Sequence, residues 1–298
     1  MTRAVRPLAQ VGLDAAVEIV QAIDQALHGR VRIDRRDVAE WASRSDLEHD
    51  AWGVEEDGRL VAFAFFERRG DTASGAGFVH PAETGRGLGT GLVDRTEERV
   101  RELGHRVLRE WIDAADSAAR DLFESRGYRE NRRFWEMAIE LDGPPPQADF
   151  PAGFRIETFR EDEARVFHAA SEESFAEHWG HVDRTFEEWW ARHSQAEGFD
   201  PTLWFLIRDG DEIAAVCECE AGRRTGGLVA LLGVRKPWRR RGLGLALLRH
   251  AFRELYGRGE RRVTLGVDSE NETGATRLYE RAGMYVDAEH VVLEKALG

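Results

Sequence analysis

A glycine-rich turn in the second half of the chain, Arg239–Leu245, has the residue types of an anion-binding loop. Gly242 and Gly244 let the backbone approach a ligand closely and point successive N–H groups toward it. A helix-forming segment follows directly, which places the positive end of its dipole behind the turn. The three arginines before the first glycine add side chains that form bidentate hydrogen bonds with phosphate. These features predict a pyrophosphate site.

Other interpretations of this turn differ in what must follow the first glycine. A dinucleotide-binding fingerprint requires a third glycine and a strand–helix–strand unit, whereas Ala246 and Leu247 follow here. A P-loop requires Gly-Lys-Ser/Thr, which the turn lacks. A plain glycine turn that begins a helix, with solvated arginines around it, stays open as the alternative to phosphate binding.

Two carboxylates, Glu218 and Glu220, end the apolar segment Ile213–Glu220. Because side chains alternate along a strand, these two share one face. A carboxylate pair beside a hairpin can take a proton from an ammonium group, directly or through water. The same pattern fits a solvated strand face, so the sequence leaves both interpretations open.

Metal sites and disulfides receive little support. Cys217 and Cys219 lie in one predicted strand with Cα atoms about 6.6 Å apart, at the edge of disulfide geometry, so we expect reduced thiols. The spacing His178-x-x-His181 is too weak a signal for a metal pair. We expect no metal.

The elements that position these residues follow from apolar periodicity. Apolar side chains recur at every fourth position from Leu243 to Leu255, which predicts a helix directly after the turn. Asp209-Gly210 joins two apolar runs and predicts a hairpin. Leu228–Arg235 and Arg262–Asp268 are predicted strands before and after the helix. The order indicates a mixed α/β (α+β) fold.

The first half of the chain repeats this plan. Gly87 and Gly242 open matching motifs 155 positions apart, and Leu122 and Leu278 open a second matching pair 156 positions apart. Two motifs that share nearly one offset indicate a tandem duplication.

A Pro-rich stretch separates the two copies. Its three consecutive prolines cannot continue a helix or a central strand. We therefore predict domains at 1–142 and 153–298 with a linker at 143–152. Each domain is expected to be a mixed, mostly antiparallel sheet flanked by helices.

Composition excludes several classes of function. The 298-residue chain has a formal net charge of −13, which argues against nucleic acid as a partner. Its apolar runs fall short of the ~20 residues that span a bilayer, and residues 1–20 lack the apolar core of a signal peptide. We expect a cytoplasmic monomer or homodimer without a membrane partner.

Two motifs of the second half resemble those of the GNAT (GCN5-related N-acetyltransferase) family. Arg239-x-x-Gly242-x-Gly244 is similar to the family's acyl-CoA motif, which also lies between a strand and an amphipathic helix. The segment from Asn271 to Gly283, with Leu278-Tyr279 at its centre, resembles the family's closing signature. Since both motifs have counterparts in the first half, the resemblance covers nearly the whole chain and implies two tandem GNAT-like domains.

The resemblance implies an N-acetyltransferase with acetyl-CoA as cosubstrate. It places the pantetheine arm along Leu232-Gly233-Val234 and against Asn271. It makes Tyr279 the acid that protonates the leaving thiolate, with core packing as the alternative role. A phenol with a pKa of about 10 can donate to a thiolate whose conjugate acid has a pKa of about 8.5. The residues implied to hold the pyrophosphate are Arg239, Arg240, Arg241, Gly242, Leu243, Gly244 and Leu245.

The acceptor is expected to be a small primary amine. In the GNAT plan the region before the first hairpin covers the acceptor, which makes His178, Trp179 and His181 candidates for that pocket; aromatic packing between the halves is the alternative. The negative net charge favours a cationic acceptor. A non-catalytic acyl-CoA-binding sensor or regulatory protein is the alternative function.

The first domain is expected to be catalytically degenerate. Phe123 stands at the tyrosine position and cannot donate a proton. Thr84 stands where the family has Gln or Arg. Its glycine turn keeps the backbone features of a pyrophosphate loop, so the fold is expected to persist without full catalysis.

Overall fold

A computed structural model describes residues 3–271 and 273–298 and divides the chain into two compact units. The first unit runs up to Phe134 and also contains Ala288–Gly298, while the second unit is Trp135–Asp287. The predicted domains, 1–142 and 153–298, therefore differ from the compact units at both ends of the second half.

The units differ from the predicted domains because the chain passes from one unit to the other within a long strand, Arg129–Glu140 or Tyr285–Ala296. The second of these strands pairs antiparallel with Val107–Asp113 from His290 onward. Main-chain hydrogen bonds to a sheet edge decide which unit a strand joins, and such pairing leaves no mark in local composition. The predicted linker 143–152 lies within the second unit, where it forms neither helix nor strand.

The described residues form a six-stranded sheet in each unit. The strand order is β1-β2-β3-β4-β5-β12 in the first unit and β6-β11-β10-β9-β8-β7 in the second. Strands β4 and β5, and likewise β10 and β11, run parallel, whereas the β1–β4 and β7–β10 neighbours are antiparallel. The strands are β1 (Arg3–Pro7), β2 (Ala51–Glu56), β3 (Arg59–Arg69), β4 (Thr72–Val79), β5 (Val107–Asp113), β6 (Arg129–Glu140), β7 (Phe154–Thr158), β8 (Trp204–Asp209), β9 (Glu212–Glu220), β10 (Gly227–Val234), β11 (Arg262–Asp268) and β12 (Tyr285–Ala296).

Helices cover both faces of each sheet. In the first unit, α2 packs with apolar residues of one face of β3 and α4 packs with the other. In the second unit, α6 and α7 pack on one face of β8 and β9, while α8 packs on the other. No helix among the described residues is long and apolar enough to cross a membrane. The helices are α1 (Leu8–Val11), α2 (Leu13–His28), α3 (Arg35–Ser43), α4 (Leu88–Glu102), α5 (Ser117–Ser125), α6 (Ala164–Phe175), α7 (Phe186–Ser194), α8 (Leu243–Gly257) and α9 (Ala275–Arg281).

The local predictions around the glycine turns are confirmed. Helix α8 begins after Gly242 and helix α4 begins after Gly87, and both glycines have left-handed backbone conformations with φ of 85° and 77°. The apolar positions of α8 from Leu243 to Leu255 are buried, as their four-residue spacing predicts. The predicted Asp209-Gly210 hairpin joins β8 to β9. The Asp57-Gly58 turn joins β2 to β3 in the same way, and its two residues have the positive φ angles of a tight hairpin turn.

The parallel strands separate in both units just before the glycine turn. Pairing of β10 with β11 is confined to Gly227 and Leu228, and a bulge between Val229 and Leu231 bends the rest of β10. In the first unit, pairing of β4 with β5 ends at Gly75. Beyond these points, one edge of β4 and of β10 no longer pairs with the neighbouring parallel strand. The N–H and C=O groups on that edge can therefore form hydrogen bonds with a ligand.

Candidate active site

The glycine turn of the second unit is held in a conformation that requires glycine. Gly242 is left-handed, which costs roughly 1–2 kcal/mol for a residue with a Cβ atom. At Gly244, a Cβ atom would lie 2.8 Å from Cδ1 of Leu278 on α9. The first turn of α8 therefore packs directly against α9, and the backbone of the turn stays open toward solvent at Gly242.

The arginines predicted to bind pyrophosphate differ in their surroundings. Arg239 donates three hydrogen bonds to protein acceptors: to the carbonyl oxygen of Val234 (3.1 Å), to the carbonyl oxygen of Ser174 (3.2 Å) and to Oε2 of Glu177 (3.1 Å). Arg240 is exposed. Arg241 is half exposed, and its nearest described carboxylate oxygen is 3.9 Å away. Hydrogen bonds therefore hold the Arg239 side chain at the C-terminal end of α6.

The predicted pantetheine strand has one edge paired with β9. Leu232, Gly233 and Val234 lie opposite Cys217, Val216 and Ala215, which leaves the other edge facing the gap to β11. Helix α6 packs closely on this strand, since a Cβ atom at Gly233 would lie 2.8 Å from the Cβ atom of Ser174.

Asn271 lies beyond β11. Its side-chain oxygen accepts a hydrogen bond of 2.8 Å from the backbone N–H of Thr273. Glu272, which belongs to the closing motif, lies outside the described residues.

Tyr279 lies on α9 and is 7% exposed, in the apolar core of the second unit with Cys217. Burial raises the pKa of its phenol to about 12. The phenol is therefore protonated at neutral pH, as a proton donor must be. The cysteines are free, as predicted, and both are buried, with their sulfur atoms 3.6 Å apart.

Glu218 is 3% exposed and lies on the face of β9 that meets α7. Its Oε2 atom is 3.3 Å from Nε2 of His193, and Oε1 is buried without a hydrogen-bond partner among the described residues. The other ring nitrogen of His193, Nδ1, is 2.8 Å from the carbonyl oxygen of Trp189 and donates to it. Burial lowers the pKa of His193, but the hydrogen bond and charge of Glu218 outweigh this effect and raise the pKa above its ordinary value.

Glu218 also lies next to the bulge, because it pairs with Leu231 of β10. Glu220, predicted as its partner, instead lies 3.0 Å from Nη1 of Arg223. Sequence reasoning missed His193. Its signal was a histidine four residues after Trp189, on the apolar face of a short helix.

The three predicted acceptor-site residues follow α6 in the loop before α7, and their environments differ. His178 packs against Phe175 with ring centroids 4.5 Å apart, and burial together with the positive charge of Arg239 lowers the pKa of His178. Trp179 is half-buried. His181 contacts two carboxylates. Trp189, on α7, is buried in an apolar cluster of the second unit.

The first unit contains a cavity of about 860 Å³ beside its own glycine turn. Gly85, Gly87 and Gly89 line it, together with the separated end of β4 and with Phe123. This volume is in the range of small-molecule and cofactor sites. The half predicted to lack catalysis therefore retains a ligand-sized cavity. Glu110, which the sequence did not single out, is a buried lining residue whose pKa is raised to about 8 by burial and then by the charge of Glu97.

The strand register shows which residues of the first unit replace the chemical groups of the second. In the first unit Phe63 pairs with Phe78, and the equivalent pair in the second unit is Val216 with Gly233. Both pairs lie on the sheet face that is covered by the helices preceding β2 and β8. Two residues further along the strand, Phe65 stands where Glu218 stands in the second unit. The first unit thus has phenyl rings at both the carboxylate and the tyrosine positions, Phe65 and Phe123.

Residues 16–128 and 156–284 each match the model of the acetyltransferase (GNAT) family. The chain belongs to this family. The two matches fall one in each half, so the GNAT fold occurs twice, as the sequence predicted. Each unit is a mixed sheet flanked by helices, and the chain is an N-acetyltransferase of the tandem GNAT type.

Curated relatives and solved structures agree with this assignment. The chain is 33% identical over 233 residues to a mycothiol acetyltransferase of Thermobispora bispora, covering 75% of this chain and 76% of that protein. It is 31% identical over 245 residues to a mycothiol acetyltransferase of Geodermatophilus obscurus, covering 78% of each.

Among solved structures, a GCN5-related N-acetyltransferase from Sphaerobacter thermophilus has a TM-score of 0.83 and 35% identity over 99% of this chain and 96% of that one. A tandem GNAT protein from the clavulanic acid biosynthesis pathway has a TM-score of 0.76 over 100% of this chain and 99% of that one. At 17% identity, the second likeness shows the fold alone.

Proposed function

We propose that the protein transfers the acetyl group of acetyl-CoA to a small primary amine, with the reaction centre in the second unit. The observation that carries this proposal is the placement of two groups around β9. Cys217 and Glu218 are successive residues of β9, so their side chains lie on opposite faces of the sheet. Since Cys217 packs in the same core cluster as Tyr279, Tyr279 and Glu218 lie on opposite faces. A thioester in the gap between β10 and β11 would have a proton donor on one side and a carboxylate on the other.

The proposed reaction uses these two groups in order. Glu218 takes a proton from the ammonium group of the acceptor and passes it to solvent. The neutral amine forms a bond to the thioester carbon, and unpaired N–H groups of β10 stabilise the negative oxygen. The carbon–sulfur bond then breaks, and the sulfur takes the proton of Tyr279. The second nitrogen proton leaves through Glu218, and the phenolate regains a proton from solvent. The products are the amide, CoA thiol and one proton.

Arg240, Arg241 and the backbone of the glycine turn are proposed to hold the pyrophosphate of acetyl-CoA. Both side chains are exposed, and the turn leads into the N-terminus of a 15-residue helix. Leu232–Val234 and Asn271 are proposed to hold the pantetheine arm, since that strand edge faces the gap.

The acceptor is proposed to be cationic before it reacts. The net charge of −13 favours the approach of a cation. The relatives named mycothiol acetyltransferase support a small amine rather than a protein acceptor. Primary amines of thiol precursors, aminoglycoside-like sugars and amino-acid derivatives are the classes to examine, with His178 and Trp179 as neighbours of the acceptor.

Sensing of acyl-CoA by the first unit, without catalysis in that unit, is a second candidate role. The cavity of the first unit favours it, because that cavity lies beside a glycine turn and has Phe65 and Phe123 where the second unit has Glu218 and Tyr279. In this alternative the first unit binds acyl-CoA without turnover, and its ligand regulates the protein.

The test measures CoA thiol release from acetyl-CoA over a library of primary amines. Two matched variants locate the site: Gly242→Leu with Gly244→Leu in the second unit, and Gly87→Leu with Gly89→Leu in the first. We expect turnover to be lost in the first variant and kept in the second, because leucine strains the left-handed turn at Gly242 and displaces α8 from α9 at Gly244. Loss in the first-unit variant alone would move the enzyme to the first unit. Acetyl-CoA binding that persists in the second-unit variant without thiol release would favour sensing by the first unit.

A further inference from the structure

Four histidine and carboxylate side chains converge between α6 and the loop that precedes α7 in the second unit. We call His168, Glu172, His181 and Asp183 the imidazole–carboxylate cluster. Nε2 of His181 lies 3.1 Å from Oδ1 of Asp183 and 3.3 Å from Oε2 of Glu172. Nε2 of His168 lies 3.8 Å from Oε1 of Glu172. The cluster takes no part in the reaction proposed above.

The spacing of three of these atoms suits a single metal ion. The ligand atoms of Glu172, His181 and Asp183 all lie within 4.8 Å of one another. Nitrogen and oxygen ligands at about 2.0–2.2 Å from a tetrahedral ion are roughly 3.3–3.6 Å apart. The two distances from His181 are close to this value, so an ion could be held with only small side-chain movements.

Unsatisfied buried atoms are the second observation. Oε2 of Glu172 is buried without a hydrogen-bond partner, although it faces His181. His168 is 8% exposed, and its Nε2 atom also lacks a hydrogen bond while it faces the same carboxylate. The single Nε2 proton of His181 cannot fully satisfy both of its carboxylate neighbours. A buried carboxylate oxygen without a partner is costly, and a cation removes that cost.

We propose that this cluster binds one divalent transition-metal cation of the zinc type. Glu172, His181 and Asp183 are the ligands, and the buried imidazole of His168 lies beside the Glu172 carboxylate. An imidazole combined with carboxylates favours zinc-type ions over calcium and magnesium, which prefer oxygen ligands alone. The sequence predicted no metal because the ligands lie on a helix and a loop, and only the His178-x-x-His181 spacing was visible.

The site would tie the loop after α6 to the helix itself. The same stretch of chain contains Ser174 and Glu177, the acceptors that hold Arg239 at the glycine turn. A bound ion would therefore stabilise the segment that positions this arginine. The proposal concerns metal binding alone and does not depend on acetyl transfer.

The test titrates the tag-free, chelator-treated full-length protein with Zn²⁺ and separately with Mg²⁺ by calorimetry. We expect one Zn²⁺ per chain and no heat from Mg²⁺. Glu172→Gln and Asp183→Asn should each weaken Zn²⁺ binding at least tenfold. Both substitutions nearly preserve side-chain shape, and circular dichroism would verify that each variant is folded.

The matched control is His49→Ala in the first unit. Nδ1 of His49 lies 3.0 Å from Oδ2 of Asp46 in an exposed pair that is not part of a described three-ligand group. This variant should bind Zn²⁺ like the parent protein. No Zn²⁺ binding by the parent, unchanged binding in both folded cluster variants, or an equal loss in His49→Ala would each overturn the proposal.

Discussion

His193 of α7 and Glu218 of β9 form a buried ion pair, in which Nε2 lies 3.3 Å from Oε2. The carbonyl oxygen of Trp189 fixes the other side of the imidazole ring. One carboxylate oxygen is therefore held in place, and Oε1 is buried without a hydrogen bond among the described residues. The pair lies beside the bulge of β10, since Glu218 is opposite Leu231. This arrangement holds the Glu218 carboxylate in a fixed orientation on the face of β9 that packs against α7.

Glu218→Gln should lower kcat by about 100-fold or more, because the amide cannot take a proton from the acceptor. The KM for acetyl-CoA should change little, since Glu218 lies on the α7 face of β9, where the acceptor is proposed to bind. Steady-state kinetics with the best amine of the library gives both values. Glu220→Gln is the matched control and should stay near the parent rate, because Glu220 pairs with Arg223. A kcat within threefold of the parent in Glu218→Gln would exclude this residue as the base.

The ion pair also predicts how stability depends on pH. Because the folded pKa of His193 is raised, its contribution is fully present below the ordinary pKa of about 6.5 and is lost as pH rises through the higher folded value. The difference in unfolding free energy between the parent and Glu218→Gln should therefore be larger at pH 6 than at pH 8.5. Urea denaturation at the two pH values measures it. A difference that grows with pH would contradict a charged His193 in the folded state.

Tyr279→Phe should lower kcat by about 10²–10⁴ with little change in the affinity for acetyl-CoA. Since the pKa of Tyr279 is about 12, ionisation of this phenol should produce no basic limb in the rate profile below about pH 10. Tyr256→Phe on α8 is the matched control. Adding Phe123→Tyr should not restore turnover, because Phe65 occupies the carboxylate position of the first unit. Near-normal kcat in Tyr279→Phe would assign Tyr279 to core packing alone.

Glu177→Gln should increase the affinity for acetyl-CoA by about two- to fivefold. Glu177 binds both Lys236 and Arg239 beside the glycine turn, and this pairing competes with the phosphates of the ligand. Calorimetric titration at low and high salt measures the gain, which should shrink as salt screens the charges. Glu173→Gln is the control, since Glu173 binds Arg235 instead. Weaker binding in Glu177→Gln would mean that Glu177 braces Arg239 for phosphate binding.

Local sequence patterns determined most of the fold. The four-residue spacing after Gly242, the Asp-Gly hairpins and the repeated motifs are properties of short segments, and helices α4 and α8 and both glycine turns follow them. The family resemblance also came from contiguous motifs. Such signals suffice because backbone preference and apolar periodicity act between neighbours along the chain.

Tertiary structure alone decided the features that join distant segments. The sequence predicts a linker at 143–152, whereas sheet pairing assigns Ala288–Gly298, which contains most of β12, to the first unit. His193 reached Glu218 only because α7 packs on β9, and Arg239 met Glu177 only because α6 ends beside the glycine turn. The cavity of the first unit likewise depends on where β4 and β5 separate. These contacts depend on hydrogen bonds and packing between segments far apart in sequence, which residue spacing does not encode.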